Sequence, residues 1–454
     1  MFITHGLEGK EMRGIAKSAV ARILALAAVF MFALCVCIGV IGTQSAYAEQ
    51  GEWNAAHTHY YKGGDIMVTD GFYYVEQDKG WYYFDEYGFT EKGWIKLNWD
   101  DEIAYWYGDP AKYGMLKLGW QKIGGHWYYF AKESGISQDN KKSYGVGMMY
   151  DHGTAKVNGK WYYFGTSDDS KKWGKMQYGW IGVIDDYGDK VWYYADSNKD
   201  GQLALGWNKV GGKWYYFEPN DPGASYNENW YPLGVMHYGH IETIKGYDYY
   251  FAKGGAMQSG WIKESYRSAT WDDGSYQVYT DWYYADPSND SRLVTGWKKI
   301  SGYWYYFGGD HEMYDNNTWT INGKLYIFDR SGKLPNKEGW VNLYEEYFYE
   351  DGSESQAVPY WVYSNKSGIA TVGWKKVSGY WYFFDEWGYM EYDAWVEDSK
   401  GVCYLQTNGK MATSKWVKYG NNWYYVDASG HRVSGDYTIN GKVYHFDSNG
   451  IWLG

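Results

Sequence analysis

Large and polar side chains alternate on either side of a Gly-Gly pair in GWQKIGGHWYYF, residues 119–130. Alternation with a period of two marks a β-strand, and Gly-Gly between two such runs marks a two-residue hairpin turn. With the turn at Gly124-Gly125, Ile123 faces His126, Lys122 faces Trp127, Gln121 faces Tyr128 and Trp120 faces Tyr129. Opposed residues share a face. Trp120, Lys122, Trp127 and Tyr129 are therefore expected on one side of the ribbon, and Ile123, His126, Tyr128 and Phe130 on the other.

The pattern returns as GWNKVGGKWYYF from Gly206, GWKKISGYWYYF from Gly296 and GWKKVSGYWYFF from Gly373, with a weaker copy, KWVKYGNNWYYV, from Lys415. Aromatic blocks recur at Trp81, Trp106, Trp127, Trp161, Trp192, Trp214, Tyr249, Trp282, Trp304, Tyr326, Trp361, Trp381, Tyr404, Trp423 and Tyr444. A spacing of roughly 20–35 residues is that of a solenoid. A lone hairpin is marginal in water, so neighbouring hairpins must cover both faces of each one.

A longer period overlies the short one. Long hairpins, with the leading Trp far from its aromatic block, begin at about Gly93, Gly179, Gly260 and Gly339. Each is followed by a regular hairpin and then a degenerate one, such as TAKVNGKWYYF or TWTINGKLYIF. The expected organisation is a lead-in at 49–79 and a repeat array over 80–454, made of four triplets and closing hairpins from residue 415. The acidic pairs Asp100-Asp101, Asp185-Asp186, Asp272-Asp273 and Glu350-Asp351 are expected to be solvated tips of the long hairpins.

Composition agrees with an array. Aromatic residues make up 22% of the chain while Leu, Ile and Val are sparse, so an aliphatic core cannot dominate. The first 48 residues read differently. Arg13, Lys17 and Arg22 precede an apolar run from Ile23 to Ile41, and Ala46-Tyr47-Ala48 is a small-x-small cleavage site. Residues 1–48 are expected to be a secretory signal, removed before Glu49. Cys35 and Cys37 leave with it, so Cys403 has no partner for an intrachain disulfide. Those residues carry four basic and two acidic side chains, so their removal takes the net charge from −12 to −14. Such a surface disfavours nucleic acid and anionic membrane, and no membrane insertion of the mature chain is expected.

No catalytic machinery is evident. The ten histidines are scattered, and no His-Glu-x-x-His occurs. DSNKDG at 196–201 imitates the start of a calcium loop, but Trp207 stands where the bidentate Glu belongs, and a turn is the better reading. No enzyme activity, cofactor or metal is expected. The notable chemistry is the Trp/Lys/Trp/Tyr face. Ring faces around a gap suit a quaternary ammonium, and they also suit the C–H groups of a stacked sugar. The same rings serve equally well as glue between hairpins.

The pattern GWxKxxGxWYY, followed by Gly-x-Met-x-x-Gly-Trp as in GKMQYGW and GGAMQSGW, resembles the choline-binding or cell-wall-binding repeat of Gram-positive surface proteins. It is similar also to the glucan-binding repeats of secreted glucansucrases and to the repetitive tails of glucosylating toxins. The resemblance covers Gly80 to Gly454 and implies an all-β fold, a ββ-solenoid of stacked hairpins with ligand sites between them. Carried over by position, the implied ligand-binding residues are Trp120, Trp127 and Tyr129; Trp207, Trp214 and Tyr216; Trp297, Trp304 and Tyr306; Trp374 and Trp381, with Phe383 in place of Tyr; and Trp416, Trp423 and Tyr425. Met176 and Met257 stand at the family's Met position, and Leu116, Leu203 and Leu293 occupy it elsewhere. Thr154 and Gly239-His240 replace a Gly-Trp wall, so those sites are expected to be structural.

The implied function is a secreted, non-catalytic binding protein of the cell surface or cell wall. Its partner would be choline or phosphocholine on teichoic acid, or a glucan-type cell-wall polysaccharide. A structural or adhesive surface protein contacting host molecules, and a targeting subunit for a separate enzyme, remain open alternatives.

Overall fold

The computed structural model describes residues 51–454 apart from 64, 100–101, 137–142, 186–187, 221–230, 268–274, 277, 346–347 and 350–357. The expected signal segment and nearly all of the acidic hairpin tips lie outside the described residues. Among the described residues the fold is all-β, with antiparallel strands paired in two- and three-stranded sheets and short 3₁₀ turns between them. No helix there is long and apolar enough to cross a membrane.

The hairpin register follows from the turn. His126 pairs with Ile123, Trp127 with Lys122, Tyr128 with Gln121 and Tyr129 with Trp120. Gly124 and Gly125 have φ of 56° and 86°, the two left-handed positions of a type I′ turn. The other regular hairpins repeat this pairing around their own turns. In the long hairpins the same opposition survives a longer arm. Trp261 faces Tyr284 and Lys263 faces Trp282, just as Trp297 faces Tyr306 and Lys299 faces Trp304.

Between hairpins the chain turns on acidic or amide side chains. Asp85, Asp329, Asn365, Asp385, Asp427 and Asp447 each accept the N–H groups two and four residues ahead, which shapes the loop into the next strand. DSNKDG forms a 3₁₀ turn over Ser197–Lys199, capped by the Asp196 side chain.

The chain divides into two compact units, Met1–Ala155 with Phe164–Met176 and Lys156–Tyr163 with Gln177–Gly454. Neither has one large core. In the first unit small clusters form around Phe84, Trp106 and Phe130. In the second they form around Phe217, Phe251, Phe307 and Phe384, all fully buried. Each cluster joins the back of one hairpin to the front of the one before it, and full burial of each Phe contributes about 1.5–3 kcal/mol.

A backbone bond reinforces each joint. The N–H of Met257 reaches the Trp214 carbonyl at 2.8 Å, that of Met313 reaches Trp282 at 2.8 Å, and that of Met390 reaches Trp361 at 2.7 Å. These bonds satisfy groups on the outer strand that would otherwise be an unpaired sheet edge.

Candidate functional site

The hairpin of Gly206–Val210 and Lys213–Phe217 carries Trp207, Lys209, Trp214 and Tyr216 on its front face, as its register requires. That face meets the back of the next hairpin, Ile241–Ile244 and Tyr247–Tyr250. Trp207 lies 5.2 Å from Tyr216 of its own hairpin, 4.9 Å from Tyr249 of the next, and stacks on Phe251 at 5.8 Å. Trp214 is different. It remains 43% exposed while Tyr216 is 8% exposed. The front face therefore has two parts: Trp207 and Tyr216 join the core, and Trp214 projects as the outer wall of a cleft.

The same geometry recurs within the second unit. Trp297 lies 6.4 Å from Trp304 with planes at 86°, and 5.0 Å from Tyr326 of the following hairpin. In the first unit Trp120 and Trp127 are 6.4 Å apart at 86°, and Trp120 stacks on Phe164. Trp416 packs on Tyr425 and on Tyr444 of the last hairpin, and Trp452 adds a further ring at 5.6 Å. At each place an inner indole is held by rings of two hairpins and an outer indole (Trp127, Trp214, Trp304 or Trp423) is open to solvent, perpendicular to the inner one at Trp127 and Trp304.

Of the residues named from sequence, Tyr129 and Tyr216 are buried behind their inner Trp. The ring that closes the cleft from the far side belongs to the next hairpin, as Tyr249 and Tyr326 do. Trp374 departs from the pattern. Its only described ring neighbour is Phe383 at 5.3 Å, and its buried Nε1 has no hydrogen-bond partner. The following hairpin presents Cys403 where the others present Tyr.

The long hairpins carry the constellation too. Trp261 and Trp282 lie 6.2 Å apart at 85°, with Tyr305 of the next hairpin 5.0 Å from Trp261. Trp340, Trp361 and Tyr382 repeat it at 6.3 Å and 5.0 Å. Trp180 meets Tyr215 at 5.0 Å. Sequence reasoning left these residues out because the inserted arm separates the two tryptophans. The signal was the Gly-Trp and Trp-Tyr pairs that flank it.

Cations of the chain stand beside several walls. Lys190 Nζ lies 4.6 Å from the Trp192 ring centre, Lys263 Nζ 5.8 Å from Trp282 and Lys209 Nζ 6.0 Å from Trp214. At Trp395 the Met position is Arg432, whose guanidinium lies 5.4 Å from Trp395 and 5.9 Å from Tyr424. Val402 replaces the outer Trp there, and the chain's own cation fills the gap.

In the hairpin before Phe251 the register places Ile241, opposite Tyr250, where the inner Trp stands elsewhere. His240 thus falls one residue earlier than the sequence suggested, in the leading-Gly position, and joins a polar knot. His240 Nε2 lies 2.5 Å from Glu242, and His237 stacks on Tyr231 at 4.1 Å. Burial opposes the charge on Glu242, but its contacts with His237 and His240 outweigh that and hold the carboxyl below the usual range.

The choline-binding repeat matches residues 371–416. The cell wall binding repeat matches 119–137, 155–167, 206–220, 295–310, 414–431 and 437–451. Glucosyltransferase-S of Streptococcus mutans is 26% identical over 272 residues, 50% of this chain and 17% of that protein. Glucosyltransferase-I of Streptococcus downei is 25% identical over 446 residues, 90% of this chain and 23% of that protein. This chain thus spans less than a quarter of the length of either. Choline binding protein F of Streptococcus pneumoniae is 23% identical, with 85% of this chain and 100% of that chain covered and a TM-score of 0.20. The matched stretches of this chain are thus choline-binding and cell wall binding repeats by their family models.

Proposed function

We propose that the chain is a secreted, non-catalytic protein held at the cell surface or cell wall, where its clefts take the quaternary ammonium of choline on a decorated teichoic acid. The observation that carries this reading is the recurring pair of perpendicular indoles closed by a tyrosine of the next hairpin. A quaternary ammonium has no proton to donate, so ring faces hold it better than hydrogen-bond acceptors do. The net charge of −12 draws cations to the surface. Lys209 would pair with the phosphate of phosphocholine at the rim of its cleft. Several weak clefts on one chain facing one polymer would bind it far more tightly than any cleft alone.

Retention of the purified protein on choline-agarose, with elution by free choline, tests the reading. Passage through the column unretained sinks it. A second reading, a glucan-type polysaccharide stacked on the same indoles, is favoured by the two glucosyltransferases that align with half and nine-tenths of this chain. Retention on a dextran matrix and not on choline-agarose would select it. Under that reading Lys209→Ala would leave affinity unchanged, whereas for phosphocholine it would weaken binding.

A further inference from the structure

In the hairpin of Ala394–Asp398 and Gly401–Leu405, Cys403 occupies the position where neighbouring hairpins carry Tyr382 and Tyr424. The exchange costs the joint a ring, and the buried Trp374 Nε1 at that joint has no hydrogen-bond partner. Packing alone does not account for it. What surrounds the sulfur does. Cys403 forms an antiparallel backbone bridge with His431, which carries the imidazole across from the thiol. Asp398, from the turn of the Cys403 hairpin, lies 3.1 and 3.2 Å from His431 Nε2 through its two oxygens. One ligand atom from each of Asp398, Cys403 and His431 falls within 4.8 Å of the other two.

We propose that Asp398, Cys403 and His431 form a site for a borderline-soft divalent cation of the zinc class. Thiolate, imidazole and carboxylate together are the donor set of zinc, whereas calcium and magnesium take oxygen donors. Bonds of about 2.0–2.2 Å to N and O place those two ligands about 3.3 Å apart on a tetrahedral ion, close to the separation His431 and Asp398 already have. A Zn–S bond of about 2.3 Å asks for a small inward turn of the Cys403 side chain.

Outer contacts aim the donors. Ser429 Oγ lies 2.9 Å from His431 Nδ1, which leaves Nε2 for the ion. Asp398 Oδ1 accepts the N–H groups of Lys400 and Gly401, which fixes the carboxylate and leaves Oδ2 for coordination. Cys403 is buried, but the His431 and Asp398 side chains retain 16% and 26% exposure, so an ion can enter and a water can complete its shell. On binding, the thiol releases its proton to solvent and the metal–sulfur bond forms, so binding weakens as pH falls.

The test is titration of the full mature chain with Co²⁺, followed by Zn²⁺. One equivalent of Co²⁺ should raise a sulfur-to-cobalt charge-transfer absorption that one equivalent of Zn²⁺ abolishes. Cys403→Ser should lose the absorption, and the more exposed changes His431→Gln and Asp398→Asn should weaken Co²⁺ binding at least about tenfold. No charge-transfer absorption in the unaltered chain, or one that survives in Cys403→Ser, overturns the proposal. Either result is read on the unaltered chain or against it at matched circular dichroism, so a folding defect in one variant cannot stand in for the answer.

Discussion

Trp207 of one hairpin stands 4.9 Å from Tyr249 of the next, with ring planes 68° apart. The contact makes Trp207 a structural ring and its partner in sequence, Trp214, a surface ring. The two indoles of one motif should therefore fail differently when removed. Trp207→Ala should cost about 2–4 kcal/mol of stability, since it empties a joint between hairpins. Trp214→Ala should barely move the melting temperature yet weaken choline binding by about 1–2 kcal/mol, a 5- to 30-fold loss. Thermal melts and ligand titration on both variants check this. Equal melting losses, or an unchanged affinity in Trp214→Ala, would return both rings to the core.

Turns set the register, and their backbone is demanding. Gly302 has φ of 91°, the second left-handed position of its turn, while Ser301 before it has φ of 50°. Nothing lies within 4 Å of a Cβ built on Gly302, so a methyl there meets no clash and only the backbone resists it. Gly302→Ala should cost about 1 kcal/mol or more through φ alone. Ser301→Asn should be neutral or mildly stabilising, because Asn tolerates that region better. Chemical denaturation distinguishes the two, and a Gly302→Ala variant as stable as the parent would argue against a type I′ turn.

Within a hairpin the sequence is easily read. Alternation names the two faces and a Gly-Gly or Ser-Gly pair places the turn, so the pairing of Trp120 with Tyr129 is a matter of counting. Between hairpins counting stops helping. Tyr216 and Tyr249 both belong to Tyr-rich blocks, and which one closes the cleft depends on how the intervening loop stacks the second hairpin on the first. The long arms hide the Trp261–Trp282 pair for a related reason: local spacing is lost while the register is kept. Arg432 in a Met position, and Cys403 in a Tyr position, look like decay in a linear alignment. Their roles come from partners dozens of residues away.

The cleft at Trp395 should be closed to ligand. Arg432 already stands over Trp395 and Tyr424, and Val402 leaves no outer indole to wall a cleft. A tethered cation needs no translational entropy to stay there, which a free choline must lose on binding. Trp395→Ala should lower the melting temperature while leaving the number of choline molecules bound per chain unchanged. Equilibrium dialysis reads that number directly. A lost equivalent would show that choline displaces the guanidinium.

Asp315 offers a pH dependence of known sign. Burial, with the charges of Asp281 and Asp329 adding to it, pushes its carboxyl from 3.8 up to about 6. Folded Asp315 therefore keeps a proton between about pH 4 and 6 that the unfolded chain releases. Stability contributed by this group is full below the unfolded value and is lost as pH rises through the folded one. A shift of that size corresponds to at most about 3 kcal/mol, less whatever solvent reaches the partly buried side chain. Carboxylates held low, such as Asp286 beside Lys298, act in the opposite direction, so the whole-chain profile mixes both signs. The difference between Asp315→Asn and the parent isolates the one group. Asn carries no charge at any pH, so the variant should match the parent near pH 4 and exceed it in melting temperature at pH 7. A difference that stays flat from pH 4 to 7 would show that Asp315 is ionised in the folded chain throughout that range.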